Sequence, residues 1–121
     1  MDIEKEKEIK KELQLLKKSF SDLEGRKSKA ANDICEELAA LKVEMRYLKI
    51  EFSERGSVDE MPQGAYSILR TSPYFQNYLN AAKTYSTLYK QILDLYPKEV
   101  AQVKEAEELD DLQKFLKQTT K

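Results

Sequence analysis

The chain has 121 residues, and sixty of them are Ala, Glu, Lys, Leu or Arg, the composition of long helices or coiled coil. It contains no His and a single cysteine, Cys35, which removes the imidazole base, the usual catalytic triad, His-containing zinc sites, internal disulfides and thiolate clusters. The net charge of −1 gives no basic footprint over the chain as a whole.

With 36% charged and 40% hydrophobic residues, core-forming side chains are scarce for one compact globule, so an oligomer is expected. No run approaches the roughly 18 apolar residues of a membrane span. The start, MDIEKEKEIKK, lacks the apolar core of a signal peptide. A cytosolic protein is expected, without catalysis, metal, other cofactor, small-molecule substrate or membrane contact.

Asp2 to Glu24 reads as one amphipathic helix, with Ile9, Leu13, Leu16, Phe20 and Leu23 in a narrow seam at alternating steps of four and three. Gly25 interrupts the pattern. A second helix is expected from Ser28, as N-cap, to Arg55, with Ile34, Leu38, Leu41, Met45, Leu48 and Phe52 on its seam and Gly56 ending it. About 28 residues would give roughly 42 Å.

Residues 57–70, SVDEMPQGAYSILR, leave the helical period, and Pro62-Gln63-Gly64 is a turn by composition. A small β-hairpin or an ordered loop is expected there, packed on a helix or on a neighbouring subunit because two strands alone are marginal. Ser72-Pro73 opens a third helix. Its seam is Phe75, Tyr78, Ala82, Tyr85, Tyr89, Ile92 and Tyr96, and Pro97 stops it. A second row, Tyr74, Ala81, Leu88 and Leu95, makes the face too broad for one helix, which argues for a contact with another chain. The tail, residues 98–121, carries Val100, Val103, Leu109, Leu112, Phe115 and Leu116 around acidic Glu105, Glu107, Glu108, Asp110 and Asp111. It reads as a short amphipathic helix that docks or is partly disordered rather than joining the core.

The expected fold is therefore mainly α. A long antiparallel helical hairpin holds a short β-hairpin or loop between its two helices, an N-terminal amphipathic helix precedes it, and the whole is oligomeric. Its divisions are residues 1–27, a candidate DNA-contacting helix; residues 28–97, the oligomerisation core; and residues 98–121, a candidate docking tail.

Three groups of residues bear on function. Cys35 falls at an apolar helical spacing beside Asp33, Glu36 and Glu37, where carboxylates raise a thiol's pKa, so a buried small hydrophobe is expected rather than a nucleophile. Five of the seven tyrosines fall between Tyr74 and Tyr96, but with only Lys83 and Lys90 among them they suit helix and subunit contacts better than a base-stacking platform. The cluster Arg26, Lys27 and Lys29, with Lys17 and Lys18 nearby, gives residues 1–30 nine basic against seven acidic groups. Such a cluster at a helix start is either an ordinary solvated junction or a phosphate contact, and repetition around a ring would turn its small excess into a substantial field. Candidate DNA contacts are thus Arg26, Lys27, Lys29, Lys17 and Lys18. Candidate oligomer contacts are Leu41, Met45, Leu48, Phe52, Tyr78, Tyr85 and Tyr89.

The order of parts over residues 28–99 resembles the phage terminase small-subunit family. That pattern has a helix ending in a Gly-Val or similar step, a loop with Gly, an Asn-Pro opening the next helix and a closing Leu-Gly-Leu-x-Pro. Here Arg55-Gly56-Ser57-Val58 and Gly64 fit the first part, Ser72-Pro73 stands where the family has Asn-Pro, and Leu93-Asp94-Leu95-Tyr96-Pro97 keeps the closing outline without its Gly. The resemblance implies a non-enzymatic, ring-forming DNA-packaging component in the bacterial host cytoplasm. Its partners would be copies of itself, double-stranded viral DNA and the large terminase subunit that carries the ATPase and nuclease. It implies no particular DNA-contact residues. A coiled-coil adaptor or regulatory protein with no nucleic-acid role fits the near-neutral charge and the heptad seams as well.

Overall fold

The structure, a computed structural model, describes residues 3–56 and 58–119, with the side chains of all but residues 59, 111, 112 and 114–119. Asp2, the expected start of the first helix, and Ser57 lie outside the described residues, as do the side chains of Leu112, Phe115 and Leu116. The chain is mainly helical, in the order α1 (Ile3–Ser19), α2 (Gly25–Arg55), β1 (Val58–Gln63), β2 (Tyr66–Thr71), α3 (Pro73–Leu93) and α4 (Lys98–Thr119). A small antiparallel sheet of β1 and β2 sits between the helices.

α1 runs antiparallel to α2, and the two are tied on their polar side by Lys5 to Glu44 at 2.6 Å and by Glu12 to Arg46 at 3.1 Å. The first helix stops at Ser19 rather than Glu24. Ser21 and Asp22 are poor helix formers that compete for backbone groups, and the Ser21 hydroxyl donates to the Lys18 carbonyl at 2.9 Å. Phe20 and Leu23 continue the seam as turn anchors, buried at 2% and 8% exposure.

The next helix starts at Gly25 rather than at Ser28, which falls in its first turn with its N–H donating to the Glu24 carbonyl at 3.4 Å. Gly25 has φ +62°, a left-handed conformation that a Cβ makes costly. Chain reversal therefore happens at the residue the hydrophobic period marks only as a break.

α2 and α3 run antiparallel. Phe52 near the end of α2 meets Phe75 and Tyr78 at the start of α3, with ring centroids 5.1 and 5.2 Å apart. At the far end the Tyr96 hydroxyl reaches Asp22 in the α1–α2 turn. Between these ends the core gathers Ala31, Cys35, Leu38 and Ala39 of α2, Leu16 and Phe20 from α1 and its turn, and Tyr85, Tyr89 and Ile92 of α3. Each fully buried side chain of the size of Leu38 or Ile92 contributes about 1.5–3 kcal/mol relative to exposure.

The third helix opens on Ser72-Pro73 as expected and ends at Leu93, short of Tyr96. Residues 94–96 wind into a tighter turn, with the Leu95 N–H donating to the Ile92 carbonyl and the Tyr96 N–H to the Leu93 carbonyl, both at 3.0 Å. Proline disfavours helical backbone at the residue before it, so the turn precedes Pro97.

The tail is a helix of 22 residues rather than a short segment. It folds back on α3, and its described contacts come from its first half. Ala101 packs on the core, Lys104 reaches the carbonyl of Ser19, and Glu108 accepts from Tyr85. The α1 turn and α4 thus cover part of α3 within one chain, while its second row, Tyr74, Ala81, Leu88 and Leu95, stays half-buried.

Candidate nucleic-acid interface and partner surfaces

The α1–α2 turn gathers the basic candidates at one end of the bundle. Lys17 and Lys18 occupy the last turn of α1, and Arg26, Lys27 and Lys29 the first turns of α2; all five are exposed. The first turn of α2 carries no acid, so its positive dipole end and the cluster have the same sign. At the end of α1, Lys17 and Lys18 also complement a negative dipole end, a stabilising role that needs no ligand.

Two acids share this end, Asp22 and Glu24. Asp22 accepts from the Tyr96 hydroxyl at 2.6 Å and lies 3.8 Å from Lys104 Nζ. The Tyr96 hydrogen bond, helped by Lys104, holds the Asp22 carboxyl below its ordinary pKa against a small opposing effect of burial. Its charge therefore has cationic and hydroxyl partners inside the chain. Beside it, a shallow depression is lined by Asp22, Leu23, Glu24, Lys27, Tyr96 and Val100 among others.

Lys104, a residue with no expected role, anchors this junction. Its ammonium donates to the Ser19 carbonyl at 2.9 Å and lies 5.5 Å from the Phe20 ring centroid and 4.8 Å from that of Tyr96. It thus meets a helix C-terminal carbonyl, a carboxylate and two aromatic faces. The signal in the sequence was its isolation, since it is the one base between Glu99 and Asp111.

The seven expected oligomer contacts separate into two groups. Met45, Tyr85 and Tyr89 are buried within a single chain at 4%, 2% and 7% exposure. All three belong to the core cluster formed within one chain. The same burial withdraws Tyr85 and Tyr89 from any base-stacking platform. Leu41, Leu48, Phe52 and Tyr78 are half-buried. Phe52 and Tyr78 spend their exposed edges largely on each other and on Phe75 near the base of the hairpin.

Cys35 has no exposed surface, and burial pushes its thiol up to about 11, only partly offset by Lys17. Burial, rather than the flanking carboxylates, is the leading cause. Lys49 on α2 is also buried, and desolvation holds its pKa below the ordinary lysine value. Among the described residues no helix is long and apolar enough to cross a membrane, and no group of three or more His, Cys, Asp or Glu gathers to hold a metal ion.

The hairpin is the least covered part of the chain. Val58, Tyr66, Ile68 and Leu69 are exposed large hydrophobic residues, and among the described residues no helix packs along the two strands. Comparison with protein-family models, curated proteins and solved structures finds no match to the chain.

Proposed function

We propose that the chain is the small terminase subunit of a tailed phage or prophage, a non-catalytic component that assembles into a ring. It would bind double-stranded viral DNA and recruit or regulate the large ATPase and nuclease subunit in the host cytoplasm. The observation that carries this reading is the order of parts at the centre of the chain. Two long antiparallel helices are joined by a two-strand hairpin, with Gly56 closing the first helix, Gly64 in the turn and Ser72-Pro73 opening the second. This is the arrangement of caps and turns on which the family resemblance rests.

The exposed cluster of Lys17, Lys18, Arg26, Lys27 and Lys29 supplies the DNA-binding part of the reading. Phosphate neutralisation by several cations makes affinity depend on salt, with a slope of about 0.9 per neutralised phosphate. The test is light scattering on the purified chain followed by DNA titration at several salt concentrations. A discrete assembly of many copies that binds duplex DNA, with weaker binding and a flatter salt slope after charge reversal of Arg26, Lys27 and Lys29, is expected. A monomer, dimer or tetramer at every concentration, without DNA affinity, would return the chain to the adaptor reading.

A further inference from the structure

The reversal that carries the basic cluster is weakly held by its own backbone. The amides of Ser21, Leu23 and Ser28 donate across it at 3.3, 3.2 and 3.4 Å, longer than the usual length of about 2.9–3.0 Å. Glu24, at the N-cap of α2, makes no side-chain bond to the helix, and the first turn holds no acid. Arg26 and Lys27 stand there instead, at the positive end of the helix dipole, where cations are unfavourable. Gly25, held at φ +62°, loses more backbone freedom on folding than any other residue type. Backbone entropy, capping and charge therefore all work against the shape that gathers the cluster.

That shape is fixed from outside, by the linker after α3 and by the first two turns of α4. Tyr96 donates to Asp22 at 2.6 Å and sets its ring 6.2 Å from that of Phe20. Val100 lines the same depression as Leu23 and Lys27. Lys104 makes the most contacts: its ammonium donates to the Ser19 carbonyl at 2.9 Å, faces Asp22 at 3.8 Å, and lies 5.5 and 4.8 Å from the ring centroids of Phe20 and Tyr96. Its side chain is only 14% exposed, so it is spent on the junction rather than offered to a ligand.

We propose that Lys104 is a positioning residue for the basic cluster, through which the seating of α4 sets the affinity of the turn for duplex DNA. With α4 seated, Ser19 and Asp22 are fixed, and Lys17, Lys18, Arg26, Lys27 and Lys29 are held together at one end of the bundle. With α4 lifted, the Ser19 carbonyl loses its donor, Asp22 loses the cation beside it, and the turn opens. A partner that draws α4 away therefore weakens DNA binding, and bound DNA weakens that partner's hold by the same factor. The proposal rests on the DNA-binding reading of the cluster and gives that site its regulation.

The test combines amide hydrogen exchange with DNA titration on the full chain. Lys104→Met keeps the length of the side chain and its contact with the two rings, and removes the charge and the bond. It should speed exchange at Ser21, Leu23 and Ser28 about three- to tenfold, the range for one lost hydrogen bond. Leu38 and Met45, in the middle of α2, should exchange as before. Affinity for duplex DNA at fixed salt should fall by a comparable factor, and Lys104→Arg should restore most of both. Lys98→Met removes the same charge from an exposed site on the same helix, so it should spare the turn amides and shift affinity by less. Equal losses of affinity in Lys98→Met and Lys104→Met would overturn the proposal, because charge alone then accounts for them. Turn amides indifferent to Lys104→Met, or a loosened turn with unaltered DNA affinity, would overturn it too. Where Lys104→Met also speeds Leu38, Tyr96→Phe decides: it removes only a hydroxyl and should loosen the same turn amides, and an unchanged turn would sink the idea. A wild-type chain without affinity for duplex DNA would sink the reading of the cluster itself, a failure separate from the one the turn amides report.

Discussion

The hydroxyl of Tyr85, buried in the bundle, donates to Glu108 Oε1 of α4 at 2.7 Å. Burial, together with the adjacent Glu108 charge and the hydrogen bond to it, raises the tyrosine pKa well above its ordinary value, so the hydroxyl keeps its proton as donor. This bond and the anchorage of Lys104 are polar fasteners on a helix that otherwise adds little to the core. Glu108→Ala leaves a buried hydroxyl without its partner and should cost about 1–3 kcal/mol. Tyr85→Phe removes donor and demand together and should cost less. Urea unfolding of both variants and of the double variant checks this: a double-mutant cycle with no coupling energy would mean the bond holds nothing in solution.

The pair of Tyr96 and Asp22 should give stability a particular pH profile. Asp22 has a lowered pKa in the folded chain, so its contribution is present above the ordinary carboxylate value and lost as pH falls through the lowered one. Tyr96 has a raised pKa, caused first by burial and then by Asp22, so its contribution is present below the ordinary tyrosine value and lost as pH rises through the raised one. The stability difference between wild type and Tyr96→Phe should therefore be flat from about pH 5 to 9 and shrink at either extreme. Because Asp22 is exposed, the effect is modest. Chemical denaturation at pH 3, 7 and 11 is the measurement, and a difference independent of pH would refute the pairing.

Gly25 is a clean probe of the α1–α2 reversal. An added Cβ would meet nothing within 4 Å, so the cost of a substitution there comes from the backbone alone. Gly25→Ala should destabilise by about 1–2 kcal/mol, and Gly25→Asn by less, since Asn tolerates the left-handed region better. Thermal unfolding of the two variants should rank them in that order. Equal losses would mean that the turn relaxes to a different conformation.

The seams of α1, α2 and α3 were legible because a period near 3.6 places Leu16, Leu38 and Ile92 on buried stripes whatever the partner is. Gly56, Gly64 and Ser72-Pro73 marked the hairpin and its flanks because each has a local backbone reason to be there, but the turn falls at Gly64-Ala65 rather than at Pro62-Gln63-Gly64, since Pro62 and Gln63 pair with Ser67 and Tyr66 as the end of β1. Partner choice was not legible. A seam says that Tyr85 and Tyr89 are covered, but not whether by α4 or by a second chain. The α4 helix was underestimated for the same reason: its acidic stretch hides Lys104 and Glu108, whose partners Ser19 and Tyr85 lie 85 and 23 residues away. The basic cluster was visible as composition, while its gathering at one end depends on the reversal at Gly25.

The proposed docking role of the tail needs a deletion that spares the fold. Ala101, Lys104, Glu105 and Glu108 lie in the first half of α4 and face the core, the α1 turn or α3. Removing residues 98–121 strips these contacts and uncovers Tyr85 and Leu93, so such a chain should lose stability as well as any docking function. A chain ending at Asp110 keeps every one of those contacts and should hold its melting temperature within about 4 °C, the shift expected for a loss of roughly 1 kcal/mol. On the terminase reading it should still assemble and bind DNA but fail to stimulate the ATPase of the large subunit. Full stimulation by the shortened chain would place docking elsewhere, and a large drop in melting temperature would show that the outer half of α4 belongs to the fold.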